Sequence, residues 1–387
     1  MTAERLARSY ARFRVGERVL LTGHSHQAWP DVSFAAQQQA WLDAAELVDG
    51  KWARAQAVAE AVAAGWQRLL GDRSGDVALG ANTHELVVRW LSALPLGTRP
   101  RLVTTDGEFH SIRRQVDRLA EAGIEVRKVA ARPVETLAAR LASEVDGRTA
   151  GAMISSVLFE TAEIVPGLEL VAARAAATGT SLLVDAYHHL NVVPFSVDAM
   201  GLGQAFVVGG GYKYCQMGEG NCFLRVPPGC TLRPVVTGWF SEFGTLDEAP
   251  APGQVRYGAG AARFAGATYD PTAHYRAAAV FGFFDEHGLT PDHLRATSVA
   301  QVGRLHARVA ALDLDPAVAR IVDIPPAGRA GFLAIRAPGA TALVQALRDR
   351  GVHTDARGDY LRLGPAPYVT DAQLDDAVDA LAEALAR

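Results

Sequence analysis

From residue 76 onward the chain alternates short apolar runs with amphipathic ones. "DVALG", "RLVTTD", "IEVRKVA", "AGAMISSVLF", "SLLVDA" and "QAFVVGGG" read as strands. Between them lie "THELVVRWLSAL", "EFHSIRRQVDRLAEAG", "VETLAARLASEV" and "LELVAARAAATG", which read as helices, with Gly123 ending the second. Several strand runs are nearly all apolar instead of alternating, so both of their faces must be covered. Strands alternating with helices in this way predict an α/β fold, a mostly parallel central sheet with helices on both faces. Ligands of such sheets bind beyond the carboxyl ends of the strands. Those ends are where chemistry is to be sought.

The flanks differ. "RVLLTGHSHQAWP" reads as a strand running into a loop, and roughly 31–70 as helix, with apolar residues at three- and four-residue spacing. After about 260 come two further helices and then a mixed strand-helix pattern. The expected division is an N-terminal segment, 1–30, reaching toward the active site, a large domain over 31–265 and a smaller α+β domain over 266–387. With 387 residues, 49% of them hydrophobic, a large core is within reach. A net charge of −4 with acids and bases intermixed leaves no basic stripe, so no nucleic-acid partner is expected. The N-terminus lacks the apolar core of a secretion signal, and the alanine-rich runs are broken by charge too soon to span a membrane. Cys215, Cys222 and Cys230 have no zinc-finger spacing, and an odd number argues against a disulfide framework. A reduced, cytoplasmic protein without a metal or a membrane partner is the expectation.

Four strand ends carry unusual groups. After "VALG", Asn82 and Thr83 stand at a helix N-terminus, where free N–H groups and the helix dipole favour an anion such as phosphate. An ordinary cap accounts for them equally well. After "RLVTTD", Phe109 stands at a helix start, placed either to cover an aromatic ligand or to staple the helix. Asp185 ends the apolar strand "SLLVDA", and a carboxylate there needs a cation or strong donors. His188, three residues on, either supports Asp185 or sits above a bound ring. Lastly "AFVVGGGYKY" runs from a strand through three glycines into Tyr212 and Lys213. A lysine held in a tight apolar site with a depressed pKa is a nucleophile toward carbonyl carbon. The glycines are expected to leave room around it.

The combination is more specific than its parts. An amine for an aldehyde, an acid for a ring nitrogen and a helix start for a phosphate are the three things that pyridoxal 5'-phosphate (PLP) needs.

With these residues in place, the chain resembles fold-type I PLP-dependent enzymes of the class V aminotransferase group, and within it kynureninase. "VDAYHH" is similar to that family's Asp-x-x-His segment and "GGGYKY" to its Ser-x-Tyr-Lys-Tyr segment. "GEFHS" falls at its Phe-Pro-Thr-Asp stretch, "GWFSEF" at its Gly-Trp-Trp-Gly-His, and "DARGDYLRLGPAPY" at its late Asp-Phe-Arg…Arg-Phe…Pro-Leu-Tyr segment. The resemblance implies that Lys213 binds the cofactor and moves protons. Asp185 pairs with the ring nitrogen, with His188 beside it, and Phe109 stacks on the ring. It further implies that Asn82, Thr83, Tyr212 and Trp239 hold the phosphate end, Trp239 from either subunit of a homodimer with shared active sites, and that Arg357 binds the substrate α-carboxylate. A local ion pair with Asp355 or Asp359 is the alternative for Arg357. The family's Gly-Asn-Ser-Leu-Gly is here "GHSHQAWP", which makes His24, His26 and Trp29 either substrate contacts or parts of a capped helix start. Its Ser-Asn-Pro-Pro region, which meets the substrate's aromatic end, is here "FAGATYDP". The implied activity is hydrolytic cleavage of the Cβ–Cγ bond of kynurenine or a related γ-oxo amino acid. The alternatives are transamination, epimerisation or C–S cleavage on the same scaffold, and cofactor binding without catalysis. A persulfide mechanism is disfavoured because no cysteine follows Cys230.

Overall fold

The computed structural model of the chain describes residues 2–248 and 252–386. A short helix α1 (Ala3–Ala7) and a two-residue strand β1 (Val19–Leu20) lead into two long helices, α2 (Val32–Leu47) and α3 (Lys51–Leu69). The alternating region then runs β2 (Asp76–Gly80), α4 (Thr83–Ser92), β3 (Arg101–Thr105), α5 (His110–Glu121), β4 (Glu125–Val129), α6 (Leu137–Glu144), β5 (Thr149–Ser155), α7 (Leu168–Thr178), β6 (Ser181–Asp185), β7 (Phe206–Gly210) and β8 (Cys222–Val226). The remainder is α8 (Thr272–Glu286), α9 (Pro291–Ala310), β9 (Arg320–Ile321), β10 (Leu333–Arg336), α10 (Ala340–Arg348), β11 (Val352–His353), β12 (Asp355–Arg357), β13 (Tyr360–Leu363) and α11 (Asp371–Leu385).

Seven strands form the main sheet in the order β2-β8-β7-β6-β5-β3-β4. The pairs from β7 through β4 are parallel, as the alternation predicts, and β8 lies antiparallel between β7 and β2. Sequence reasoning did not expect β8. Its run "CFLRV" is interrupted by Arg225, which is fully buried and held by Asp72, with Nε donating to Oδ2 at 2.7 Å. Breaking such a buried pair on one side typically costs about 3–5 kcal/mol. A four-stranded sheet in the order β12-β13-β10-β9 belongs to the C-terminal part, and β1 pairs in parallel with β11. Helix α8 packs against α2 and α3.

The period of two along each strand sorts the core onto two faces. On β6, Leu182 and Val184 join one cluster while Leu183 joins the other. Ser155 and Asp185 are register partners at the carboxyl ends of β5 and β6, and both follow the parity of Met153 and Leu183. Helix α4 covers that face through Leu86, Val87 and Trp90. It sits close because Gly80 and Gly151 lack side chains: a Cβ at Gly151 would meet Trp90 at 2.9 Å, and one at Gly80 would meet Leu86 at 2.9 Å. This packing brings the N-terminus of α4 to the strand ends that carry Asp185.

Candidate active site

A cavity of about 260 Å³ opens at the carboxyl edge of the sheet, and its lining includes Asn82, Thr83, Phe109, Asp185, His188, Tyr212 and Lys213. Seven residues singled out from sequence therefore converge on one place.

Lys213 is buried, and its Nζ lies 2.6 Å from His188 Nε2. Three rings surround the amine, with centroids at 4.6 Å for Tyr187, 5.1 Å for Phe109 and 5.6 Å for Tyr212. Burial is the main influence on its pKa. Asp185 and Asp355 oppose it, Arg362 and Arg357 reinforce it, and the result is a fall to about 7. The chain has two other lysines, Lys51 and Lys128. Lys51 is half-buried, and Lys128 is exposed and paired with Asp117. His188 is held well below its ordinary pKa, chiefly by burial and then by the charges of Lys213 and Arg362. It is therefore neutral; with Nε2 accepting from the amine its hydrogen would sit on Nδ1, which has no partner among the described residues.

Asp185 accepts one hydrogen bond, from the Tyr187 N–H at 2.8 Å. Burial raises its pKa, while that bond and the Lys213 charge oppose the rise. Asn82 caps α4, its Oδ1 accepting from the Glu85 N–H at 2.9 Å. Thr83 is the first residue of the helix. The ordinary cap and the anion-ready helix start thus coexist. Phe109 precedes α5 in an extended conformation and packs edge-on to Phe159 at 5.3 Å.

The glycines before Lys213 do not hold space open. A Cβ at Gly210 would meet the Tyr187 hydroxyl and the Cys222 sulfur at 2.5 Å, and one at Gly211 would meet Met217 at 2.8 Å. They let the turn close onto its neighbours, and this close packing is what buries the amine.

Other expected residues lie elsewhere. Trp239 is 45% exposed, packs with Phe240 and Phe243, and does not line the cavity of its own chain. His24 neither caps a helix nor lines the cavity. It is wholly buried, 2.6 Å from Asp355 Oδ1, with its ring 4.5 Å from that of Phe332. His26 is exposed, stacks on Tyr212 at 5.1 Å and faces Glu219 at 3.2 Å. Trp29 packs between Phe13 and the Arg276 guanidinium, against Gly218. Arg357 sits 3.4 Å from Asp355 Oδ2 and donates to the Ala356 carbonyl.

Sequence reasoning left out two groups. Arg362 is buried, forks onto Asp355 through Nε and Nη2, and donates from Nη1 to the Phe159 carbonyl at 2.6 Å. It acts on Lys213 more strongly than Arg357 does. Glu108 is buried between Thr105 and Ser155. Nothing local marks either as buried: the Phe159 carbonyl beside Arg362 lies 203 residues away, and Ser155 beside Glu108 lies 47 residues away.

Comparison with known proteins adds three findings. Residues 294–381 match the family model of the kynureninase C-terminal domain. No curated protein matches the sequence. Among solved structures, the cystine C–S lyase C-DES in complex with its product cysteine persulfide superposes with a TM-score of 0.81 at 17% identity, covering 96% of this chain and 98% of the other. A C-DES variant with glycine covalently linked to its PLP cofactor gives 0.82 at 16% identity, covering 97% and 98%. A cysteine desulfurase from Thermococcus onnurineus gives 0.80 at 15% identity, covering 99% of each chain. The chain thus has the fold-type I architecture of class V PLP-dependent enzymes, and its C-terminal part is kynureninase-like.

Proposed function

On this fold-type I scaffold with a kynureninase-like C-terminal part, we propose that the chain is a PLP-dependent enzyme acting on an amino acid. The finer reading is hydrolytic cleavage of the Cβ–Cγ bond of kynurenine or a related γ-oxo amino acid to give alanine. The observation that carries the cofactor assignment is the buried Lys213 amine, bonded to neutral His188 in a cavity that also holds Asp185 and Phe109. The residues present fit the group. Lys213 suits an aldehyde, and Asp185 has one N–H donor and, among the described residues, no ion-pair partner within contact distance. Phe109 offers a ring face, and the start of α4 offers N–H groups to a phosphate.

When bound, PLP supplies an electron sink for negative charge at the substrate α-carbon. The protein supplies the rest. Above a pH of about 7 Lys213 is a free base, able to attack an aldehyde and, once released, to take and return a proton at the α-carbon. His188 accepts one N–H of the amine and so fixes its orientation. Asp185 would hold a proton on the pyridine nitrogen, and Phe109 would cover one face of the ring. Two arginines are available for the α-carboxylate. Arg362 has two of its five N–H donors uncommitted and is the more buried, so we assign it the anchor, with Arg357 beside it. In the net reaction water gives its hydroxyl to the acyl fragment and a hydrogen to the β-carbon, so an acid and alanine leave.

A second reading is C–S cleavage, favoured by the likeness to a cystine C–S lyase. A persulfide route through one of this chain's own thiols is disfavoured. Burial pushes Cys222 up to about 12 and Cys215 still higher, and it raises half-buried Cys230 as well. Product analysis separates the readings. Kynurenine and 3-hydroxykynurenine should yield alanine and an anthranilate-type acid. Sulfide or persulfide from cysteine or cystine, with no alanine from kynurenine, would transfer the assignment to the second reading.

We further propose a homodimer with shared active sites. Val235, Val236, Trp239, Phe243 and Leu246 are exposed apolar residues in one stretch, and a partner would cover them. Light scattering should give twice the chain mass, and Trp239→Ala should weaken cofactor retention. A fully active monomer would refute this.

A further inference from the structure

Glu108 is 1% exposed and has no cation in contact among the described residues. Its Oε1 accepts from the Thr105 hydroxyl at 2.7 Å and the Ser155 N–H at 3.1 Å, and its Oε2 lies 2.6 Å from Ser155 Oγ. All three partners are neutral. Ser155 is the register partner of Asp185, so Glu108 is braced on the strand immediately beside a second, half-buried carboxylate. Two neighbouring carboxyls without a cation between them do not both ionise readily, and the more buried one, which lacks a cationic neighbour, is the one that favours its proton.

We propose that Glu108 is a positioning residue of this site, a neutral carboxyl that ties the ends of β3 and β5 together behind Asp185 and whose ionisation sets the charge felt by Asp185 and Lys213. The proposal rests on the PLP reading only for its consequence at Lys213. Burial is the largest influence on Glu108. The hydrogen bonds from Ser155 and Thr105 oppose it, the charge of Asp185 adds to it, and the pKa is raised to about 7. Asp185 on β6 is the charged group that acts on it. Asp106, in the same turn, is engaged by the Ala131 N–H at 2.7 Å, and His110 on α5 packs edge-on to Phe159. In its neutral form Glu108 carries one carboxyl proton and still accepts from the Thr105 hydroxyl and the Ser155 N–H at Oε1. Above about pH 7 it loses that proton, and a second negative charge then stands beside Asp185. That charge raises the proton affinity of Asp185 and of Lys213, which already senses Asp185.

The test has two arms. In the first, infrared difference spectra of the cofactor-free chain are recorded from pH 5 to 9. The wild type should show a protonated-carboxyl band that disappears with a midpoint about 7. The band should be missing in Glu108→Gln. In Ser155→Ala it should persist to higher pH, because a bond that favours the ionised form is gone. In the second arm, the pH midpoint for covalent uptake of PLP by Lys213 should fall by about 0.5–1 unit in Glu108→Gln, which stays neutral at every pH. A wild type without the band at pH 6, or an unchanged uptake midpoint in Glu108→Gln, overturns the proposal. If the band titrates as expected but PLP attaches to another lysine, the PLP reading fails and the protonation of Glu108 stands.

Discussion

Lys213→Ala is expected to bind PLP without covalent attachment and to lose about 10³-fold or more of turnover. On the proposed reading the loss is large because one amine carries two tasks, holding the cofactor and moving the α-proton. Among the described residues, no other is placed to take them over. His188 is 2.6 Å away, but burial keeps it neutral with its pKa far below the ordinary value, so it is a poor base at neutral pH. The fold should tolerate the change. Removing a buried amine also removes its desolvation cost, and the neighbouring rings of Tyr187, Phe109 and Tyr212 remain in contact with one another's surroundings. Circular dichroism should therefore match the wild type while kcat collapses. Turnover within tenfold of the wild type would contradict the assignment.

Asp185→Asn is expected to retain PLP and lose about 10²–10³-fold in kcat. The amide keeps the shape, and its oxygen can still accept the Tyr187 N–H, so the turn after β6 is preserved. On the proposed reading, what disappears is the negative charge that would keep a proton on the pyridine nitrogen, and with it much of the ring's capacity to take up electrons. Asparagine also removes one buried carboxylate beside Glu108, so the Glu108 pKa should fall toward the ordinary range. A near-normal kcat in Asp185→Asn would refute the role. Retained kcat with altered cofactor absorbance would assign Asp185 to binding alone.

The parts of this site that were legible in the sequence share a cause. Asp185 and Lys213 each follow a nearly all-apolar strand, and parallel strands deliver such residues to one edge of the sheet. Asn82, Thr83 and Phe109 were legible for the same reason, since each opens a helix after a strand. What was not legible depends on contacts between remote segments. The run carrying β8 contains Arg225, whose charge masks a central strand until Asp72, 153 residues away, neutralises it. Arg362 lies on a short strand, and Asp355 together with the remote Phe159 carbonyl holds it in the core. Glu108 stands next to Phe109, and its burial depends on Ser155 from another strand. The glycines before Lys213 read as leaving room, and only the neighbouring side chains of Tyr187, Cys222 and Met217 show that they close the turn instead. His24 was visible as a departure from the family pattern, while its pairing with Asp355 spans 331 residues.

The most direct test of the central claim is to load the protein with PLP, reduce it with borohydride, digest it and locate the modified lysine by mass spectrometry. The chain has three lysines, and Lys213 alone of them is buried within the cavity. The account predicts a pyridoxyl adduct on the peptide containing Lys213, with none in Lys213→Ala. An adduct on Lys51 or Lys128, or no adduct from a loaded wild type, would contradict it.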